Sequence, residues 1–169
     1  RDVLYGVATA GASNEHIEQV HAVFGLKLLL PTNEKTQEAA LEQMRLIVAE
    51  AIGGWEQFRD GAAIALPKFH ELATELHRLA KQLAHIDLAR LTAMIASVAG
   101  LMRRNPLLYT NALADEIALA LLLAETAINQ FAALGAEFAV MVDRVVARVD
   151  ALQRSHAAPP HDLPALAAL

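Results

Sequence analysis

The sequence predicts an all-α fold, an antiparallel bundle of four to five long helices with an N-terminal helical hairpin, and three observations predict it. Of 169 residues, 55% are hydrophobic and only 5% aromatic, so aliphatic side chains, alanine foremost, supply nearly all the apolar content. Such Ala/Leu/Val-rich runs favour helices over a sandwich of short strands. Apolar residues also recur at alternating gaps of three and four, the spacing that puts them on one face of a helix. Finally, the joints between these stripes are short, and short joints make sequential helices antiparallel neighbours.

The elements follow in order. Residues 1–31 read as the hairpin: a first segment to Ala10, a break at Gly11, Ala12 and Ser13, and a second helix capped by Ser13 or Asn14 with Ile17, Val20 and Phe24 on one face. Gly25 is the expected stop, and Leu26–Pro31 an apolar connection. Thr32 then caps a long helix with the stripe Leu41, Met44, Val48, Ala51, Trp55 and Phe58, which Gly53 and Gly54 could bend and Asp60-Gly61 ends. Pro67 suits the first turn of the next helix, whose stripe is Leu72, Leu76, Leu79, Leu83 and Ile86. Asp87 is the expected cap of a helix carrying Leu88, Leu91, Ile95, Val98 and Met102, closed by Asn105-Pro106. A fourth helix is expected over 113–134, with Ile117, Leu121, Ala124, Ile128 and Phe131 inward and a left-handed Gly135 at its end. The fifth carries Phe138, Val142, Val145, Val149 and Leu152. The expected organisation is therefore a hairpin over 1–31, a bundle over 32–156, and a linker with the start of a further helix over 157–169. The absence of an initiator Met and of a signal peptide suggests a domain cut from a longer protein. Trp55, Phe58 and Leu28–Leu30 are expected in the core rather than in an exposed patch.

Composition narrows function. Without cysteine the chain has no disulfide scaffold, thiolate zinc site or cysteine nucleophile. A net charge of −5 lacks the clustered cations that neutralise phosphates, which argues against a nucleic-acid partner. No apolar run approaches the roughly 20 residues of a spanning helix, so no membrane span is expected.

The seven histidines are the first candidates for chemistry. His70 and His77 fall close to one line of a helix, with His85 rotated off it, but Glu71 and Glu75 lie on neighbouring faces and no fourth ligand position is defined, so no metal is expected. A di-iron bundle needs two Glu-x-x-His motifs plus two further Glu; Glu18-Gln19-Val20-His21 is the one copy. Asp115, Glu116 and Glu125 on the fourth helix lack a facing mate for acid–base work, and Arg103, Arg104, Arg144 and Arg148 read as helix-end charges and solvated faces. No phosphate loop or nucleophile elbow is present, and no cofactor is expected. Catalysis by the segment itself therefore has no defensible residue set. His77 is the exception to weigh. It stands mid-helix beside Arg78, with Lys81 four positions on, as a phosphotransfer histidine would; the usual pattern has Lys third and Gly fourth, whereas Ala80 and Lys81 stand here.

Three stretches carry a resemblance: Arg1–Tyr5 leading to Phe24-Gly25-Leu26, the helix pair from Leu76 to Ala99, and Asn111–Phe131 continuing through Glu137-Phe138 into the helix from Val142 to Leu152. The chain resembles the helical, phosphotransfer-like N-terminal region of the CheA-like hybrid histidine kinases that control type IV pili and twitching motility. The resemblance implies a cytoplasmic two-component signalling protein, chemotaxis-like in organisation, whose N-terminal modules include degenerate ones lacking the phosphorylatable histidine. It implies a non-catalytic scaffold module that binds other domains of its parent, a receiver domain or a pilus-system adaptor. An alternative is an active phosphotransfer domain accepting a phosphoryl group on His77, assisted by Arg78 and Lys81; a weaker one is a bundle that senses a small ligand between its helices.

Overall fold

The computed structural model describes the backbone of residues 12–157 and the side chains of residues 34–156. Five α-helices account for it: α1 (Ala12–Arg59), α2 (Ala65–Gln82), α3 (Ile86–Arg104), α4 (Asn111–Asn129) and α5 (Ala136–Ala157), with short 3-10 turns at Pro106–Leu108 and Phe131–Ala133. No strand occurs among the described residues, and the fold is all-α as expected. The chain divides into two compact units, Arg1–Ala40 and Leu41–Leu169.

In the first unit the backbone from Ala12 onward is helical, so Ser13 and Asn14 lie inside a helix rather than capping one. The expected stop at Gly25, the connection at 26–31 and the cap at Thr32 are corrected in the same way: α1 runs through all of them. Proline removes one backbone donor and glycine weakens a helix by about 1 kcal/mol, costs that lower helix propensity without forbidding a helix when good formers stand on both sides. The expected segment before Gly11 and the linker and further helix after Ala157 lie outside the described residues.

The second unit is built on the stripes. Leu41, Met44, Val48, Ala51 and Trp55 of α1 are buried, as are Leu72, Leu76 and Leu79 of α2, Leu88, Leu91, Ile95, Val98 and Met102 of α3, Ile117, Leu121, Ala124 and Ile128 of α4, and Phe138, Val142, Val145 and Val149 of α5. Phe58, Leu83, Phe131 and Leu152 sit at the margin, half-buried. Helix α3 is the central rod, packed against α2, α4 and α5. Helices α2 and α3 pair antiparallel, since His77 meets Thr92 while His70 meets Gly100. Trp55 joins three helices: its ring lies 4.8 Å from that of Phe69 on α2, and its indole N–H donates to the Ala114 carbonyl of α4 at 3.1 Å.

Helix ends depart from expectation where the local signal competes with tertiary structure. Ile86 is 73% exposed rather than part of the α2 stripe, because α2 has already ended at Gln82 and Ile86 opens α3. The cap of α3 is His85, whose Nδ1 accepts from the Leu88 N–H at 3.4 Å, and not Asp87, which lies in the first turn and pairs with Arg90. Helix α4 starts two residues earlier than expected, with the Thr110 hydroxyl accepting from the Leu113 N–H at 3.1 Å, and stops at Asn129 rather than at 134. Gly135 does not take the left-handed conformation; Gly61, with φ of 105°, does so where α1 ends. Pro67 falls in the first turn of α2 and Asn105 closes α3, both as expected.

One residue does a glycine's work. Ala84 holds φ of 57° in the α2–α3 turn, its N–H donating to the Lys81 carbonyl at 3.2 Å. A Cβ in that region is unfavourable, and glycine is the usual occupant of such a helix terminus. Ala84→Gly is expected to stabilise the fold by about 0.5–1 kcal/mol, the strain relief being partly offset by the freer unfolded chain. Chemical denaturation checks it, as a higher midpoint at unchanged slope.

Candidate functional site

The α2–α3 pair collects the histidines that the sequence singles out, and each has its imidazole tautomer set by its partner. His77 is half-buried, with Nδ1 3.2 Å from the Thr92 hydroxyl across the pair. Thr92, the one buried polar residue among those described, spends its single proton on a backbone carbonyl of the preceding turn, Leu88 at 2.9 Å or Ala89 at 3.1 Å. A hydroxyl so engaged can only accept from the ring, so His77 carries its proton on Nδ1 and its lone pair on Nε2. His70 is the reverse case. Arg103 Nη1 donates to His70 Nδ1 at 3.0 Å, and a guanidinium has no acceptor capacity, so the His70 proton is on Nε2. His85 also accepts at Nδ1, as the α3 cap, with its ring set edge-on between Phe131 and Phe138 at 5.6 and 5.7 Å.

Both helix-face histidines resist protonation. Burial pushes His77 below its ordinary value, reinforced by the Lys81 ammonium and opposed by a hydrogen bond to the Ala89 carbonyl. Burial also pushes His70 down, with Arg103 and Arg104 adding to it and Glu71 opposing. The unfolded chain takes up these protons near the ordinary value of 6.5, where the folded chain does not. Stability therefore rises with pH through the window just below 6.5 and is lost as pH falls through it. Glu75, held below its ordinary 4.5 by the Arg78 guanidinium, adds stability that is lost only at still lower pH. Melting is expected at a lower temperature at about pH 5.5 than at about pH 8, with His77→Asn flattening the difference.

The remaining candidates scatter. Arg78, placed beside His77 as an expected helper, forms an ion pair with Glu75 on its own helix, its Nε donating at 3.0 Å. Lys81 is exposed and Ala80 fully buried. Asp115 accepts from Arg59 at 2.6 Å and Glu116 from Arg148 at 2.8 Å, so both are cross-helix ties. Glu125 is half-buried at the rim of α4. The side chains of Glu18 and His21 and of Leu28–Leu30 lie outside the described residues. Among the described residues no group of three or more His, Asp and Glu side chains is placed to hold a metal ion. None of the helices searched there is long and apolar enough to cross a membrane.

Two surface hollows are lined by described residues. A polar recess of about 320 Å³ is bounded by Glu56, Arg59, Asp60, Tyr109 and Asn111. Glu56 and Asp60, which make no ion pair among the described residues, are exposed. The other, of about 220 Å³, is an apolar groove between α4 and α5, walled by Leu119, Leu123, Met141 and Val145 with Arg144 and Arg148 on its edge. Leu119 and Met141 in its walls are 45% and 43% exposed, and Leu122 and Val140 on the same two helices are 51% and 47% exposed. The composition arithmetic missed this groove, although Leu119 and Leu122–Leu123 lie off the buried stripe of α4 and so signalled a second apolar face. No protein-family model matches the chain, no curated protein matches it, and no solved structure does.

Proposed function

We propose that this chain is a non-catalytic interaction module of a signal-transduction protein, similar to the degenerate phosphotransfer-type domains of a pilus-associated, chemotaxis-like histidine kinase. The observation that carries the reading is the apolar α4–α5 face. Leu119 and Met141, 45% and 43% exposed, wall a groove of about 220 Å³ together with Leu123 and Val145. Contiguous exposed apolar surface rimmed by charge marks a protein contact. Arg148 is tied to Glu116, whereas Arg144 makes no ion pair among the described residues and is free to meet a carboxylate. The fitting partner presents an amphipathic helix with an acidic flank, laid into the groove. A receiver domain, another domain of the same parent or a pilus-system adaptor, all cytoplasmic, are the partners that the resemblance implies.

Titration calorimetry of the chain against a receiver domain and an adaptor from a type IV pilus signalling system tests this. Leu119→Glu with Met141→Glu is expected to weaken binding by at least about 100-fold, as loss of a central apolar anchor does. Unchanged affinity in the folded double variant rejects the groove as the docking face, and no binding by either partner rejects the module reading.

A second reading, phosphoryl acceptance by His77, is favoured by one specific observation. The Thr92 hydrogen bond leaves the lone pair on Nε2, the atom that would attack a phosphoryl group. Incubation with a phosphorylated receiver separates the readings: acid-labile label lost in His77→Gln supports the second, and no label where a known acceptor is labelled rejects it.

A further inference from the structure

Helices α4 and α5 are antiparallel, since Arg148 meets Glu116 while Met141 and Leu123 wall the same groove. The wall that α5 contributes runs from Met141 to Arg148, and the helix continues past it to Ala157. Residues 158–169 then read APPHDLPALAAL. Asp162 followed by Pro164 is a helix-start signal, an oxygen-bearing cap with proline in the first turn. A helix begun there puts Leu163, Leu166 and Ala167 on one face, at i, i+3 and i+4. Asp162 is the single acid of the stretch, and it suits a groove edged by Arg144 and Arg148. Lengths agree as well. At 1.5 Å per residue, 162–169 makes a helix of about 12 Å, and Met141 to Arg148 covers about 11 Å of α5. Arg148 stands about 14 Å back along α5 from Ala157, and a helix laid on the groove has its axis about 9 Å away, so the connection must span roughly 16 Å. The five steps from Ala157 to Asp162, through Pro159-Pro160, span about 16 Å in extended or polyproline form.

We propose that residues 162–169 fold back as a short helix into the α4–α5 groove of the same chain, with Asp162 beside the groove's arginines, and so cover the face that a partner helix would use. This self-docking rests on the reading of the groove as a docking face and gives that face a regulation. It needs little intrinsic affinity, because so short a tether holds the segment at an effective concentration of order millimolar. A helix of eight residues is marginal on its own in water and gains order only against an apolar wall. Leu119 and Met141, 45% and 43% exposed, supply that wall. An incoming helix must displace the segment, so its apparent affinity is lowered by the fraction of chains that stand open.

The test is paramagnetic broadening within the full chain. The chain has no cysteine, so Ala168→Cys carries a single nitroxide, and the methyl signals of its four methionines are the readout. Met141 stands in the groove wall. Met102 lies toward the end of the bundle that carries Ala157, because Arg90 of α3 meets Asp143 of α5 and both helices run on from that pair in the same direction. Self-docking is expected to remove the Met141 signal, with recovery when ascorbate reduces the nitroxide, and to leave Met102 less affected. Leu163→Glu with Leu166→Glu is expected to restore the Met141 signal, as is Leu119→Glu in the opposite wall. Deletion of Pro159 and Pro160, which shortens the reach by about 6 Å and keeps 162–169 intact, is expected to do the same. Self-docking is overturned if Met141 is broadened no more than Met102, or if these variants leave the Met141 loss unchanged. It is also overturned if the loss appears only when nitroxide-bearing chains are mixed with methyl-labelled ones, which makes a second copy the occupant. No partner enters the sample, so a partner that fails to bind the groove and a segment that fails to dock there are separate results.

Discussion

Trp55→Ala is expected to cost about 3–5 kcal/mol, the range for removing a large buried aromatic side chain. Trp55 is 1% exposed and stands where α1, α2 and α4 meet. Its ring contacts Phe58 and Phe69 at centroid separations of 5.4 and 4.8 Å, and Phe58 in turn meets Tyr109 edge-on at 5.4 Å. Deletion leaves a cavity bounded by rings that cannot collapse into it without losing one another. In far-UV circular dichroism the melting temperature is expected to fall by about 10 °C for a chain of this size. Trp55→Phe separates packing from polarity, since it keeps an aromatic body and removes only the N–H that donates to Ala114, and a loss of about 1–2 kcal/mol is expected. A Trp55→Ala loss below about 1 kcal/mol would mean that the three helices do not depend on this joint.

The second large effect comes from adding volume. On α4, Ala114, Ala120, Ala124 and Ala127 are each no more than 1% exposed, so this helix approaches its neighbours through methyl groups. Helix axes can come close only where side chains are small, and the spacing of α4 from the elements around it is set by these alanines. Ala124→Leu drives three more carbons into a filled interior. It is expected to cost about 3 kcal/mol, at the upper end for overpacked cores, because Ala124 is fully buried. Ala112→Leu, in the first turn of the same helix and exposed, is expected to stay within about 0.5 kcal/mol of the parent. Equal melting curves for the two variants would show that α4 packs loosely.

What was legible in the chain follows from which forces act locally. The stripes from Leu41 to Trp55, from Leu88 to Met102 and from Phe138 to Val149 are all buried, because a 3.6-residue period is written directly in the side chains. Helix ends were less legible. Gly25 and Pro31 are breakers by propensity, yet α1 passes through both. The His85 cap depends on α2 ending in a left-handed alanine at position 84, which no residue type announces. The sites were least legible. Which atom of Arg103 meets which nitrogen of His70, and that Thr92 faces His77, depend on the relative sliding of α2 and α3, which heptad-like stripes leave open over a turn or more. Gly100 was the missed signal: a glycine inside an apolar helical run has to be explained by a close approach, and here it lies against His70.

The chain has a single tryptophan, and it lies within the unit Leu41–Leu169 with its indole sealed from water. Its fluorescence maximum is therefore a reporter of that unit alone, whereas ellipticity sums the helices of both units. Recorded together on one sample, the two signals measure how far melting of the helix before Ala40 is coupled to melting of the rest, without any label being introduced.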